Sequence, residues 1–286
     1  MKIPFRPKTL RAAAARVGGG TLAAGAALGG WSLFESQWVE LRELDVPVPG
    51  LHRDLEGFRI LHLSDFHLGT VSLNGRAVRK AVRWAGGRFY DMAAVTGDLL
   101  SRRRGTTALR DALAGLDPRL GSYLVLGNHD IAETRDPFSE PADPGALVGA
   151  GGVLLSDDSR IVEAGGARVQ IAGCSPETFR AGLSPARLAD PDADLRILLC
   201  HFPDVVRRLR PGAFDLVLAG HLHGGQICLP APGGKLRLEH LRAAHWEGLH
   251  ETQGGLLHVS RGLGTSFVPF RLLARPEATM LTLRRG

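Results

Sequence analysis

Five short apolar runs, each closed by a side chain able to bind a cation, constrain this chain more than any other feature. FRILHLS stops at Asp65, DMAAVTG at Asp98, SYLVLG at Asn128, LRILLC at His201 and FDLVLAG at His221. Each is a β-type run bounded by Gly, Pro or charge. Helical spacing separates several of them: Ala77, Val78, Ala81, Val82 and Trp84 within Asn74–Trp84, and Leu109, Ala112, Leu113 and Leu116 within Thr106–Leu116. Pro203 opens a further helix, where a proline suits the first turn. Strands alternating with helices predict an α/β fold with buried, largely parallel strands. In such sheets ligands collect beyond the carboxyl ends of strands, where all five polar residues would lie.

Around these ends the sequence reads SDFHLG (Asp65, His67), TGDLL (Asp98), GNHD (Asn128, His129, Asp130), CHFPD (His201) and GHLHGG (His221, His223). The set mixes oxygen and nitrogen donors and contains no cysteine, so a structural Cys-zinc site is disfavoured. Such donors suit Mn, Fe, Zn or a mixed pair. They are too many for one ion, and two cations about 3.5–4 Å apart can share one carboxylate. Gly220, Gly224 and Gly225 around the last two histidines let the backbone bend sharply and keep bulk away. The three cysteines, Cys174, Cys200 and Cys228, form no CxxC pair; Cys174 and Cys200 sit in apolar runs and read as small hydrophobes.

DxH, GD, GNHD, a later lone His and GHxH, in that order from Phe58 to His223, resemble the calcineurin-like metallophosphoesterase superfamily. The resemblance implies a four-layer α/β/β/α sandwich of two mixed sheets, with the metal site at the carboxyl ends of strands. It also implies roles. Asp65, His67 and His223 would bind one metal, Asp98 would bridge, and Asn128, His201 and His221 would bind the second. His129 would face the scissile phosphate, and Asp130 would orient its loop or His129. The cofactors implied are two divalent ions, Mn first, with Fe, Zn or Mg as alternatives. A hydroxide bridging them would attack phosphorus in line with the leaving group. The motif order with its leader is similar to a bacterial membrane-linked or exported branch that includes UDP-2,3-diacylglucosamine hydrolases. That suggests a phosphorylated small molecule or a lipid-linked substrate. The alternatives are a non-catalytic scaffold on the same fold, disfavoured because every donor position is filled, and a nucleotide or nucleic-acid phosphodiesterase.

Charge bears on that last alternative. The net charge is +6, yet Lys2, Arg6, Lys8, Arg11 and Arg16 precede the first acidic residue, Glu35, and without them the rest carries +1. Strong nucleic-acid binding is therefore not expected. After this basic head, Val17–Phe34 is uncharged and about the roughly 17–25 residues a bilayer needs. It reads as an uncleaved anchor in preference to a cleaved signal or a flexible leader. The basic flank would then be cytoplasmic and the catalytic domain exocytoplasmic, a cytoplasmic face being the alternative. The expected organisation is a head and anchor over 1–38, a linker or edge strand over 39–56 and the catalytic domain over 57–286. Arg102 and Arg103 directly follow the GD motif and, with Arg261, are candidates for contacting an anionic substrate. His62 reads as a packed core residue. His52, His240, His245, His250 and His258 have no ligand context, and the proline-rich stretch Glu133–Pro144 reads as a loop at the cleft rim.

Overall fold

The computed structural model, which describes residues 23–143, 145, 149 and 151–286, consists chiefly of two packed six-stranded sheets. Along the first sheet lie β1 (Glu40–Val48), β14 (Glu277–Arg285), β2 (Arg59–Leu63), β3 (Met92–Thr96), β4 (Ser122–Val125) and β5 (Val153–Leu154). β2 through β5 are parallel; β14 runs antiparallel to β2 and parallel to β1. The second sheet orders β12 (Gly248–Thr252), β13 (Gly255–Val259), β9 (Leu216–Ala219), β8 (Leu195–Cys200), β7 (Ala167–Cys174) and β6 (Asp158–Ala164). Its middle four strands are parallel and its outer two antiparallel to their neighbours. A separate hairpin pairs β10 (Cys228–Ala231) with β11 (Gly234–Arg237).

The strands read as unbroken apolar runs because both of their faces are covered. Successive side chains alternate between faces. Ile60, Met92, Ala94, Val125, Ile197, Leu199, Leu216 and Leu218 fill the space between the sheets. The intervening Leu61, Ala93, Val95 and Leu124 point outward onto α1 (Asn74–Ala85) and α2 (Thr106–Ala114), which present Ala77, Val78, Ala81, Leu109 and Leu113. On the far side, Leu198, Val217 and Leu257 pack under Val205 and Val206 of the 3-10 turn Pro203–Arg208, beside the short helix α3 (Pro176–Arg180). The layers are thus helix, sheet, sheet, helix, as the sequence leads one to expect. The segment opened by Pro203 is a 3-10 turn where a helix is predicted.

The anchor expectation is overturned. Among the described residues no helix is long and apolar enough to cross a membrane. The described part of the leader is helical over 23–35. Its end is part of the domain. Glu35 is buried, accepting the Ala274 N–H at 2.8 Å and the Trp31 indole N–H at 3.1 Å, and Arg271 N–H donates to Ser32 O. Trp38 stacks under the Arg275 guanidinium at 3.9 Å. A single N-terminal anchor is thus not supported among the described residues, and the exocytoplasmic placement built on it loses its basis. The basic head and residues up to 22 lie outside the described residues.

Candidate functional site

Each of the five closing residues follows the end of its strand: Asp65 after β2, Asp98 after β3, Asn128 after β4, His201 after β8 and His221 after β9. The two sheets therefore deliver their polar residues to one edge of the sandwich. Reaching it demands unusual backbone. Asp65, His67, Asp98, His221 and His223 all adopt positive φ, between 45° and 75°. That region costs a non-glycine residue of order 1–3 kcal/mol, and it persists only where surrounding structure enforces it. The enforcement is visible. Asp65 N–H donates to Gly97 O, His67 N–H to Asp98 O, and the Asp65 carboxylate accepts the His221 N–H at 3.1–3.2 Å. Gly220 is needed for close approach, because a Cβ there would collide with Ser64 Oγ and Asp65 Oδ2.

The donor atoms form two groups joined at one carboxylate. Asp65, His67, Asp98 and His223 bring ligand atoms within 4.8 Å of one another, and Asp98, His201 and His221 do the same. His67 Nε2 is 3.1 Å from His223 Nε2 and 3.5 Å from Asp98 Oδ2; His223 Nε2 is 3.3 Å from Asp65 Oδ1. In the second group His201 Nε2 is 3.2 Å from Asp98 Oδ2 and 3.1 Å from His221 Nδ1. Asn128 Oδ1 is buried and has no protein partner. Converging ring nitrogens and carboxylates with an unpartnered amide oxygen fit hard or borderline cations.

Protein groups behind the donors fix their rings. His67 Nδ1 meets Ser101 Oγ at 3.0 Å, His201 Nδ1 meets Thr96 O at 2.8 Å, and the buried Arg271 donates to His223 O at 3.1 Å. Because Thr96 O is an acceptor, His201 carries a proton on Nδ1 and turns Nε2 toward Asp98. Burial disfavours charge on every donor, but the site's own ions outweigh it for some. His201 is pushed up to about 9 by Asp98 despite burial. Asp65 is held well below the usual carboxylate range by His223 and His201, again against burial. Burial drives His67 and His221 well below the ordinary histidine value.

Of the remaining expected site residues, His129 lines the same cleft, its ring 4.6 Å from that of His67 and its N–H on Asp98 Oδ1 at 2.9 Å. Asp130 turns away from it. Its carboxylate accepts the Leu99, Leu100 and Gly127 N–H groups, each at 2.9 Å, and so stitches the GD loop to the GNHD loop. Burial and the Asp98 charge push its carboxyl up to about 7 against those donors. Arg261 is engaged by Glu277 at 2.7 Å and Glu40 at 2.8 Å. Arg103 reaches Pro141 O, while Arg102 borders a groove of about 330 Å³ with Arg104, Val71, Phe138, Phe267 and Val268. Ser266 and Phe267 also line the cleft that holds the donors, so groove and cleft share a wall.

Three features lie beyond the sequence reading. The His240 ring packs at a tilt 5.2 Å from that of His221, although its segment carries no periodic signal. Asp136 reaches the back of His129. His258 pairs with His62 between the sheets, Nδ1 to Nδ1 at 2.8 Å, and His62 Nε2 meets Thr96 Oγ1 at 3.0 Å. The Thr96 hydroxyl donates to Ser64, so His62 Nε2–H donates to Thr96 and its Nδ1 accepts from His258. Burial pushes His258 down to about 4 and His62 well below its ordinary value, so both rings are neutral.

Comparison with known proteins agrees with this geometry. The family model described as calcineurin-like phosphoesterase matches residues 58–225. The chain is 30% identical over 224 residues to the uncharacterized metallophosphoesterase YkoQ of Bacillus subtilis, covering 77% of this chain and 81% of that protein. It is 26% identical over 309 residues to the UDP-2,3-diacylglucosamine pyrophosphatase LpxG of Chlamydia muridarum, covering 87% and 90%. To the phosphodiesterase YaeI of Escherichia coli it is 27% identical over 235 residues, covering 79% and 82%.

Proposed function

The chain belongs to the calcineurin-like phosphoesterase family, and from that premise we propose that it is a dinuclear metal-dependent hydrolase of phosphodiester or pyrophosphate bonds in a lipid-linked substrate. The observation that carries the reading is the convergence of donors from both sheets on Asp98. Asp65, His67 and His223 would hold one divalent ion, Asn128, His201 and His221 the other, and Asp98 both. When bound, the ions would acidify a water and offset charge growing on the phosphoryl oxygens. The protein's part is to fix the donor rings, to exclude bulk through Gly220, and to present His129 to the cleft. From there His129 gives a proton to the leaving oxygen. No protein nucleophile takes part.

Two things support the lipid-linked substrate. The LpxG relative is named for a diacylated nucleotide sugar. The groove edged by Val71, Phe138, Phe267 and Val268 shares Phe267 with the cleft, with Arg102 and Arg104 at its border. An amphiphile with a phosphate head suits that pairing of apolar wall and cation.

Purified protein loaded with Mn²⁺ is expected to cleave bis(4-nitrophenyl) phosphate and UDP-2,3-diacylglucosamine, and Asp98→Ala to abolish both and deplete bound metal. Wild-type protein that cleaves neither ester, with metal content untouched by Asp98→Ala, would sink the hydrolase. Cleavage of the simple ester alone would remove only the lipid-linked substrate.

A further inference from the structure

One buried cation lies between the leader and two of the donors. Arg271 is fully buried, and among the described residues no carboxylate oxygen comes within 4.0 Å of its guanidinium. Backbone carbonyls satisfy it instead. Nε donates to Gly264 O at 3.0 Å, Nη1 to His223 O at 3.1 Å and Ala274 O at 2.9 Å, and Nη2 to Arg261 O at 2.8 Å. A planar fork of five N–H groups fixes the places of the carbonyls around it, and a buried charge without them carries a large desolvation cost.

The carbonyls it fixes belong to backbone that carries donors. Besides His223 O, Nη2 lies 3.5 Å from His223 Nδ1, and the ring's Nε2 is the nitrogen turned toward Asp65 and His67. The 261–264 loop lies against Asp65. Leu263 N–H donates to Ser64 O at 3.0 Å and Gly264 N–H to Asp65 O at 2.6 Å, and a Cβ on Gly262 would strike that of Asp65. Among the described residues, none of the Arg271 hydrogen bonds goes to Asn128, His201 or His221. From the opposite side the leader braces the same segment. Arg271 N–H donates to Ser32 O at 3.1 Å, and Ala274 N–H to the buried Glu35 carboxylate at 2.8 Å.

The geometry points to Arg271 as the positioning residue that couples docking of the leader's end to ion binding by Asp65 and His223. Ser32 and Glu35 hold the backbone of 271–274, and the guanidinium holds the loops behind the two donors. Loosening the leader therefore loosens the donors. This rests on the reading of Asp65, His67 and His223 as donors to one ion. Coupling is reciprocal, so filling that site tightens the hold of the leader.

Mn²⁺ titrations followed by electron paramagnetic resonance separate this role from general support of the fold. His221→Ala leaves the first site and His223→Ala the second. Adding Glu35→Ala is expected to weaken Mn²⁺ binding about tenfold or more in the first background and less than about twofold in the second. Arg271→Lys should reproduce that split, and Glu35→Ala on top of it should add less than about twofold. Equal losses at the two sites, no loss at the first, or full additivity would overturn the coupling. Amide exchange tests it with Glu35 and Arg271 intact. In the His221→Ala chain, Mn²⁺ is expected to slow exchange at the Arg271 and Ala274 amides by about tenfold. Exchange there that ignores the metal would also overturn it. A wild-type chain that took up no Mn²⁺ would sink the donor reading and the coupling with it, whereas uptake without the split removes the coupling alone.

Discussion

The two donor trios that flank Asp98 are built to different standards. Asp65 and His67 are wholly buried, His223 nearly so, and each is backed by a group deep in the protein: the His221 N–H, Ser101 Oγ and Arg271. In the other trio only His201 has such a backing, on Thr96 O. His221 is part-exposed, its outer face covered by the exposed His240, and Asn128 Oδ1 has no partner. Asn128 and His221 line the cleft, as does His223 from the first trio. The first trio thus sends one donor to the cleft wall and the second sends two. Supporting contacts of this kind are worth about 10–100-fold in metal affinity, so the trios should differ in how tightly they hold an ion.

The sharpest way to break that contrast is to remove one histidine from each side. His223→Ala is expected to lose one equivalent of metal and about 10³-fold in kcat/KM, with no recovery in excess Mn²⁺. His221→Ala should lose the other equivalent but regain activity as Mn²⁺ is raised over about 10–100-fold. Elemental analysis beside a metal titration reads both, and equal recovery in the two variants would erase the distinction. Gly220→Ala asks whether the buried trio is as tightly packed as it looks. The new methyl would meet Ser64 Oγ and Asp65 Oδ2, and a loss of about 1–3 kcal/mol in denaturant unfolding is expected. A variant as stable as wild type would mean that Asp65 can move.

The smallest effect concerns the neutral imidazoles under the site. The folded values of His258, about 4, and of His62 lie below the ordinary histidine value. Between about pH 4 and 6.5 the unfolded chain therefore binds protons that the folded chain refuses. Stability is full above that window and falls as pH drops through it, by up to about 1.4 kcal/mol per pH unit for each ring. His258→Gln should flatten the slope of unfolding free energy against pH in urea. An unchanged slope would assign the acid sensitivity elsewhere.

Much of the fold was legible because parallel strands covered on both faces leave an unmistakable trace. Residues such as Ala93, Val95, Leu198 and Leu218 have no polar neighbours to alternate with, and the polar residue that ends each run marks a strand end. α1 and α2 were equally plain from the spacing of Ala77, Val78, Ala81, Leu109 and Leu113. The leader misled because a run of Gly, Ala and Leu carries no mark of where its end docks. Its place was decided by Glu35, a single charge that bonds to a backbone 239 positions away. Asp136 was hidden for a like reason. Nothing local distinguishes a loop aspartate that caps its own turn from one that also reaches a histidine. The burial of Arg271 beneath His223 depends on carbonyls from three separate loops, which no spacing rule brings together.

The pairing of β1 with β14 sets the pace at which the molecule can be finished. β1 lies parallel to a strand more than two hundred residues later in the chain, and β14 in turn bonds to β2. On a ribosome adding about 5–20 residues per second, β1 waits roughly 10–50 s for its neighbour. Through that interval the nascent chain carries an open sheet edge beside strands that already bear Asp65 and Asp98. The last made of the described strands is the one that joins β1 to the first sheet, so a chain cut short before residue 277 would carry all seven donors with that edge still open.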